Sequence, residues 1–277
     1  MISYLFFFDM RNWIIYIISI ILACAIAYFQ RITGPTYPVS GKVYYKGNEI
    51  KYELPRSAET KNNAEIVIEV GDTTANGLLI YKRFKSNDDW QLQTMKYENG
   101  KLIGSLPQLP AAGKMIYEVV LKDHDKQIIL NNKGKHVILR YKDPVPAYVL
   151  IPHVLLMFLS IFFAIGSIFF VIFNRDKQLH NFVYGAFISI LLGGMILGAI
   201  VQKYAFGAFW TGWPVGNDLT DTKMLISLIF WIIAIWQMKK NKAHYKTWII
   251  VAAAIQILIY FIPHSLLGSE LDFTEIE

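Results

Sequence analysis

The sequence predicts a membrane protein: a five-span α-helical bundle with an extracytoplasmic all-β, sandwich-like domain inserted between spans 1 and 2. Three observations predict it. Hydrophobic residues make up 54% of the 277, and they gather into five stretches almost free of charge. The segment 37–147 holds 30 of the 48 Asp, Glu, Lys and Arg residues. Inside that segment apolar and polar residues alternate with period 2 between turn residues, which is the pattern of half-buried strands.

The N-terminal segment and first span occupy 1–30. Arg11 precedes an apolar run over Trp13–Phe29. Ile21-Leu22-Ala23-Cys24 loosely resembles a lipoprotein cleavage box, but apolar residues continue to Phe29 where a lipidated chain would turn polar. The segment therefore reads as an uncleaved anchor, and Cys24 as a small apolar residue. A lone cysteine excludes an intrachain disulfide and any multi-cysteine metal site.

The β domain spans 37–147. Nine strands are expected: Val39–Tyr45 and Glu49–Leu54 as a hairpin, then Glu65–Val70, a second hairpin of Gly77–Phe84 with Trp90–Tyr97, and Lys101–Ser105, Lys114–Leu121, Gln127–Leu130 and His136–Tyr141. The formal net charge of the whole chain is +6, yet this domain has 17 Lys/Arg against 13 Asp/Glu, spread evenly. Without an arginine cluster or zinc-finger spacing, nucleic acid is not an expected partner. Trp90 and Tyr97 read as sheet-face packing, and His136 as a solvated surface residue.

A four-helix transmembrane domain follows at 148–269, with spans near 148–173, 182–202, 219–238 and 247–267, and then an acidic tail at 270–277. The short connectors 174–181 and 239–246 together carry six Lys/Arg. Short basic loops stay on the cytoplasmic side. The N-terminus is then cytoplasmic, the β domain and C-terminus are periplasmic, and the membrane is a bacterial inner membrane. The bilayer is the first expected partner and another envelope protein the second.

Candidate site residues gather at the expected outer face. Gln256, Tyr260 and His264 recur at spacing four, so their polar tips share one inward face of a helix. Pro152-His153 and Pro263-His264 approach the same layer from opposite chain directions. Two imidazoles there can serve a metal ion, a haem iron or a proton relay, but interfacial hydrogen bonds are the simpler reading. The loop between the third and fourth spans is rich in aromatics and glycine. Its Trp210 and Trp213 belong to an aromatic belt or cover a cavity. Asp218 and Asp221 either cap the next helix or assist the histidines. Gly185, Ser189, Gly193, Gly194 and Gly198 form small-residue positions for close helix packing.

The run Ala208-Phe209-Trp210-Thr211-Gly212-Trp213-Pro214, continuing through Asn217-Asp218-Leu219-Thr220-Asp221, resembles a family of uncharacterised integral membrane proteins of Bacteroidota-type bacteria. The resemblance implies no activity. Zinc-protease, nucleotide-loop, haem-attachment and hydrolase-elbow signatures are all missing from the sequence. The expected role is a membrane-anchored envelope interaction or assembly module acting through the β domain and the aromatic loop. The alternatives are a metal- or haem-linked redox enzyme using His153 and His264, and a transporter. Transport ranks last, because the spans offer no buried acids or bases and five spans give no paired repeats.

Overall fold

The computed structural model describes residues 12–123, 126–131, 133–263, 268 and 270–274. His264, positions 264–267 of the expected fifth span, the segment before Asn12 and the last three residues of the tail lie outside the described residues. The chain divides into two compact units.

The first unit is helical: α1 (Trp13–Thr33), α2 (Ala147–Ile172), α3 (Asp176–Ser189), α4 (Gly198–Phe206), α5 (Leu219–Lys239) and α6 (Tyr245–Phe261). A π-helical segment, Ile190–Leu197, joins α3 to α4, so that Asp176–Phe206 is one continuous rod of 31 residues. Among the described residues, α1, α2, this rod and α5 are long and apolar enough to cross a membrane. The fifth, α6, has 17 residues, or about 25 Å at 1.5 Å each, against a hydrocarbon core of about 30 Å. The described structure thus gives four spans where five were expected. It also turns most of the expected loop 174–181 into helix, which starts at Asp176. An acid in the first turn favours a helix N-terminus, and Lys177 and Gln178 are good helix formers.

One end of this unit holds both basic connectors, because Lys246 pairs with Asp176 at 2.8 Å and donates to Asn174 at 3.1 Å. At the other end Gln30 donates to the Tyr260 carbonyl (3.1 Å), and Phe29 meets Phe261 edge to face. The core between them is mostly apolar. Tyr16, Phe162, Phe163 and Phe170 surround Phe182 at centroid distances of 4.7–5.7 Å. Glycines admit these rings: a Cβ on Gly166 would lie 2.3 Å from the Phe182 ring, and one on Gly185 would lie 2.9 Å from that of Phe163. Cys24 is exposed on α1, on a helix whose exposed large side chains are Ile, Leu and aromatic residues.

The second unit is a multi-stranded β domain inserted between α1 and α2. Among the described residues its strands are β1 (Val39–Tyr45), β2 (Asn48–Leu54), β3 (Ser57–Glu59), β4 (Ala64–Glu69), β5 (Asn76–Arg83), β6 (Gln91–Thr94), β7 (Lys96–Glu98), β8 (Lys101–Leu106), β9 (Lys114–Asp123), β10 (Lys126–Leu130) and β11 (Val137–Lys142). They form a β1–β2 ribbon, a sheet ordered β3-β11-β9-β5-β6 with β10 also on β9, and a β4-β8-β7 sheet. Inward residues of all three, including Tyr45, Leu54, Ile66, Leu79, Leu102, Tyr117 and Leu139, build one core. The expected strand Trp90–Tyr97 is broken into β6 and β7 at Met95. That residue is buried, and its N–H donates to the Gly77 carbonyl at 2.8 Å. β3 was not expected and runs parallel to β11. The end of α4 with Gly207, and the described tail residues 270–274, group with this unit: the Asp143 N–H donates to the Ala205 carbonyl at 3.0 Å, and the Arg140 guanidinium lies 4.0 Å from the Phe206 ring centre.

Candidate functional site

The aromatic loop is folded onto the N-terminus of α5 by backbone donors meeting acidic side chains. Asp218 caps α5, with Oδ1 accepting from the Thr220 N–H at 2.7 Å. One turn inward, Asp221 reaches back along the chain. Its Oδ2 accepts the N–H of Thr211 at 2.7 Å and that of Gly212 at 3.1 Å. Thr222 Oγ1 accepts from the Trp213 N–H (2.9 Å), and the Asp218 N–H donates to the Thr211 carbonyl (2.9 Å). Gln202 on α4 donates to Thr211 Oγ1 at 2.6 Å. The approach is close enough to require glycine, since a Cβ on Gly212 would lie 2.5 Å from the Asp221 Cβ and 2.8 Å from the Thr222 nitrogen. The Trp213–Pro214 peptide is cis.

This scaffold presents apolar surface. Phe209, Trp213 and Val215 are 57%, 63% and 78% exposed, whereas Trp210 is turned in, its Nε1–H donating to the Gly212 carbonyl at 3.0 Å. The two tryptophans of the expected aromatic pair therefore have different situations.

His153 sits on α2 against the π segment. Its Nδ1 lies 2.8 Å from the Gly193 carbonyl, to which the Gly198 N–H also donates. A carbonyl only accepts, so Nδ1 carries the hydrogen and, in the neutral ring, Nε2 carries the lone pair. A Cβ on Gly193 would lie 2.7 Å from the Leu156 Cβ, and one on Gly198 3.6 Å from the His153 ring. These glycines thus let the rod lie close against α2. Gly194 faces Met224 of α5 instead.

Gln256 and Tyr260 belong to a buried polar chain. Trp231 Nε1–H donates to Gln256 Oε1 at 2.5 Å, Gln256 Nε2 donates to Ser160 Oγ at 2.9 Å, and Ser160 Oγ lies 3.2 Å from the Tyr260 hydroxyl. The Met157 carbonyl accepts from both hydroxyls, at 2.7 Å and 3.0 Å. Sequence reasoning placed Gln256 and Tyr260 on an inward face but missed Ser160 and Trp231. It also expected spans without buried charge. Asp221 and Lys223 are both buried at the start of α5, and Lys223 Nζ donates to the Ile262 carbonyl at 2.8 Å beyond the end of α6.

His153, the Gln256–Tyr260 chain and the Asp218/Asp221 loop therefore each have protein partners of their own. Among the described residues no group of three or more His, Cys, Asp or Glu side chains is placed to hold a metal ion. No family model matches the chain, and neither a curated protein nor a solved structure is similar to it.

Proposed function

We propose that this chain is a membrane-anchored interaction or assembly module of the bacterial inner membrane, engaging another envelope protein through its β domain and the aromatic loop. The observation that carries the reading is the loop itself. Side chains of Asp221 and Thr222 fix its backbone, while Phe209 and Trp213 are left exposed. Rigid exposed aromatics are the usual anchors of protein recognition, because little side-chain entropy is lost when they are covered. The acids are committed to holding backbone N–H groups, which leaves them poorly placed for acid–base chemistry. With both lysine-bearing connectors in the cytoplasm and α6 crossing as a short fifth span, the β domain, the loop and the tail face the periplasm. A photocrosslinking residue in place of Trp213, activated in native membranes, is expected to yield a discrete protein adduct. Lipid adducts alone would overturn the assignment.

His153 favours a second reading as a metal or haem ligand. Its Nδ1–H is held by a backbone carbonyl, the arrangement that orients Nε2 of metal-ligating histidines. Absorption and metal analysis of protein purified from native membranes, compared with His153→Ala, tests this reading. A colourless and metal-free native sample would end it.

A further inference from the structure

We propose that the β5–β6 connection and the start of β9 form a socket for an acidic peptide carrying an aromatic residue three positions after a glutamate. The chain's own tail is its resident, displaceable occupant. The socket is braced by contacts that do not involve the tail. Arg83 makes a two-pronged pair with Asp88, at 2.7 and 2.6 Å, a geometry that fixes the guanidinium plane. Ser86 Oγ donates to the Arg83 carbonyl at 2.8 Å, Lys82 Nζ donates to the Asp88 carbonyl at 3.3 Å, and the Phe84 N–H donates to the Lys114 carbonyl at 2.9 Å. Lys114 Nζ lies 5.5 Å from the Phe84 ring centre.

The tail fills this frame with one anchor of each kind. Phe273 is buried, its ring centre 4.7 Å from Arg83 Cζ, within reach of a cation–π attraction. Its N–H donates to the Lys85 carbonyl at 2.9 Å. The Glu270 carboxylate is ion-paired with both Lys85 and Lys114. Thr274 donates from N–H and Oγ1 to Asp272 Oδ1, at 3.0 and 2.5 Å, and this turn shapes the segment. An aromatic, a carboxylate and one backbone N–H are features that another protein's extended segment can supply equally well. The occupant is exchangeable because its Lys85 ion pair reaches water, with side chains 45% exposed at Lys85 and 26% at Glu270, while Lys114 beneath is 13% exposed. Such pairs are weak and screened by salt. This inference is separate from the reading of the aromatic loop and stands or falls without it.

The test uses the full-length chain carrying Glu270→Gln and Phe273→Ala, which empties the socket at constant length. A fluorescent peptide with the sequence of 268–274 is titrated in detergent and followed by anisotropy. The emptied chain is expected to bind it saturably and about tenfold or more tighter than the native chain does, with binding weakened by about tenfold on adding Lys85→Glu or in 1 M salt. A peptide lacking the glutamate or the phenylalanine should bind correspondingly less. Equal binding of a scrambled peptide, equal binding by native and emptied chains, or no binding by an emptied chain with native circular dichroism would overturn the proposal. So would a native chain that proves to be a dimer and dissociates on the tail substitutions, since the second copy would then be the occupant.

Discussion

Removing the Asp221 carboxylate should release the aromatic loop from α5. The side chain is 8% exposed and accepts two backbone N–H groups nine and ten residues upstream. In Asp221→Ala neither N–H keeps this acceptor. An unsatisfied buried donor costs about 1–3 kcal/mol, so the pair costs about 2–6 kcal/mol. Asp221→Asn keeps an acceptor oxygen at the same place and loses only the charge assistance, which roughly halves each bond and costs about 1–2 kcal/mol in all. The ordering of native, Asn and Ala is thus the sharper expectation. Thermal unfolding in detergent measures stability, and limited proteolysis between Gly207 and Asp218 reports loop release directly. An Ala variant with native melting and native loop protection would refute the reasoning. So would an Asn variant as damaged as Ala, since charge rather than hydrogen bonding would then hold the loop.

Other expectations follow from packing and charge. Gly166→Ala places a methyl 2.3 Å from the Phe182 ring, and overpacking of this kind should cost about 1–3 kcal/mol in detergent unfolding; an unchanged midpoint would mean that the α2–α3 contact yields freely. Trp231→Phe removes the donor to the buried Gln256 Oε1 and should cost about 1 kcal/mol, with a smaller effect once Gln256→Leu is already present; additive losses would deny the coupling. In the β domain, the hydrogen-bonded Arg83 guanidinium holds Asp88 down to about 2. Burial pushes Glu270 up, but hydrogen bonds from Lys114 and Lys85 outweigh it and leave the carboxyl below its ordinary value. Both folded-state values lie below those of the unfolded chain. Their stabilisation is therefore complete above about pH 5 and lost as the pH falls through the folded-state values, which for Asp88 is about 2. Acid titration followed by circular dichroism, with a smaller acid sensitivity for Glu270→Gln, checks this.

Much of the β domain could be read locally. The β1–β2 hairpin follows from alternation plus Lys46-Gly47, both at positive φ, +48° and +82°, as a tight hairpin turn requires. β3 could not be read, because three residues carry no period and its pairing with β11 spans most of the domain. The π segment was equally hidden. Ile190–Leu197 has the composition of ordinary membrane helix, and its contacts include His153 and Leu156, some forty residues earlier, and Met224, some thirty residues later. In the loop, Asp218 as a cap was legible from its position before an apolar run. The bonds from Thr211 and Gly212 back to Asp221 depend on how the chain turns between them, through Gly212, Pro214 and Gly216.

Sequence alone determined that long uncharged apolar helices flank a charged β domain, because lipid and water sort residues by type and that sorting is written in composition and period. Tertiary structure decided what the polar residues do. Whether Gln256, Tyr260, Asp221 or Lys223 serves packing or chemistry depends on its partners. Those partners are Trp231 and Ser160, the loop backbone, and the Ile262 carbonyl. Hydrogen bonds are directional and act over about 3 Å, so only the folded arrangement of distant segments could assign them.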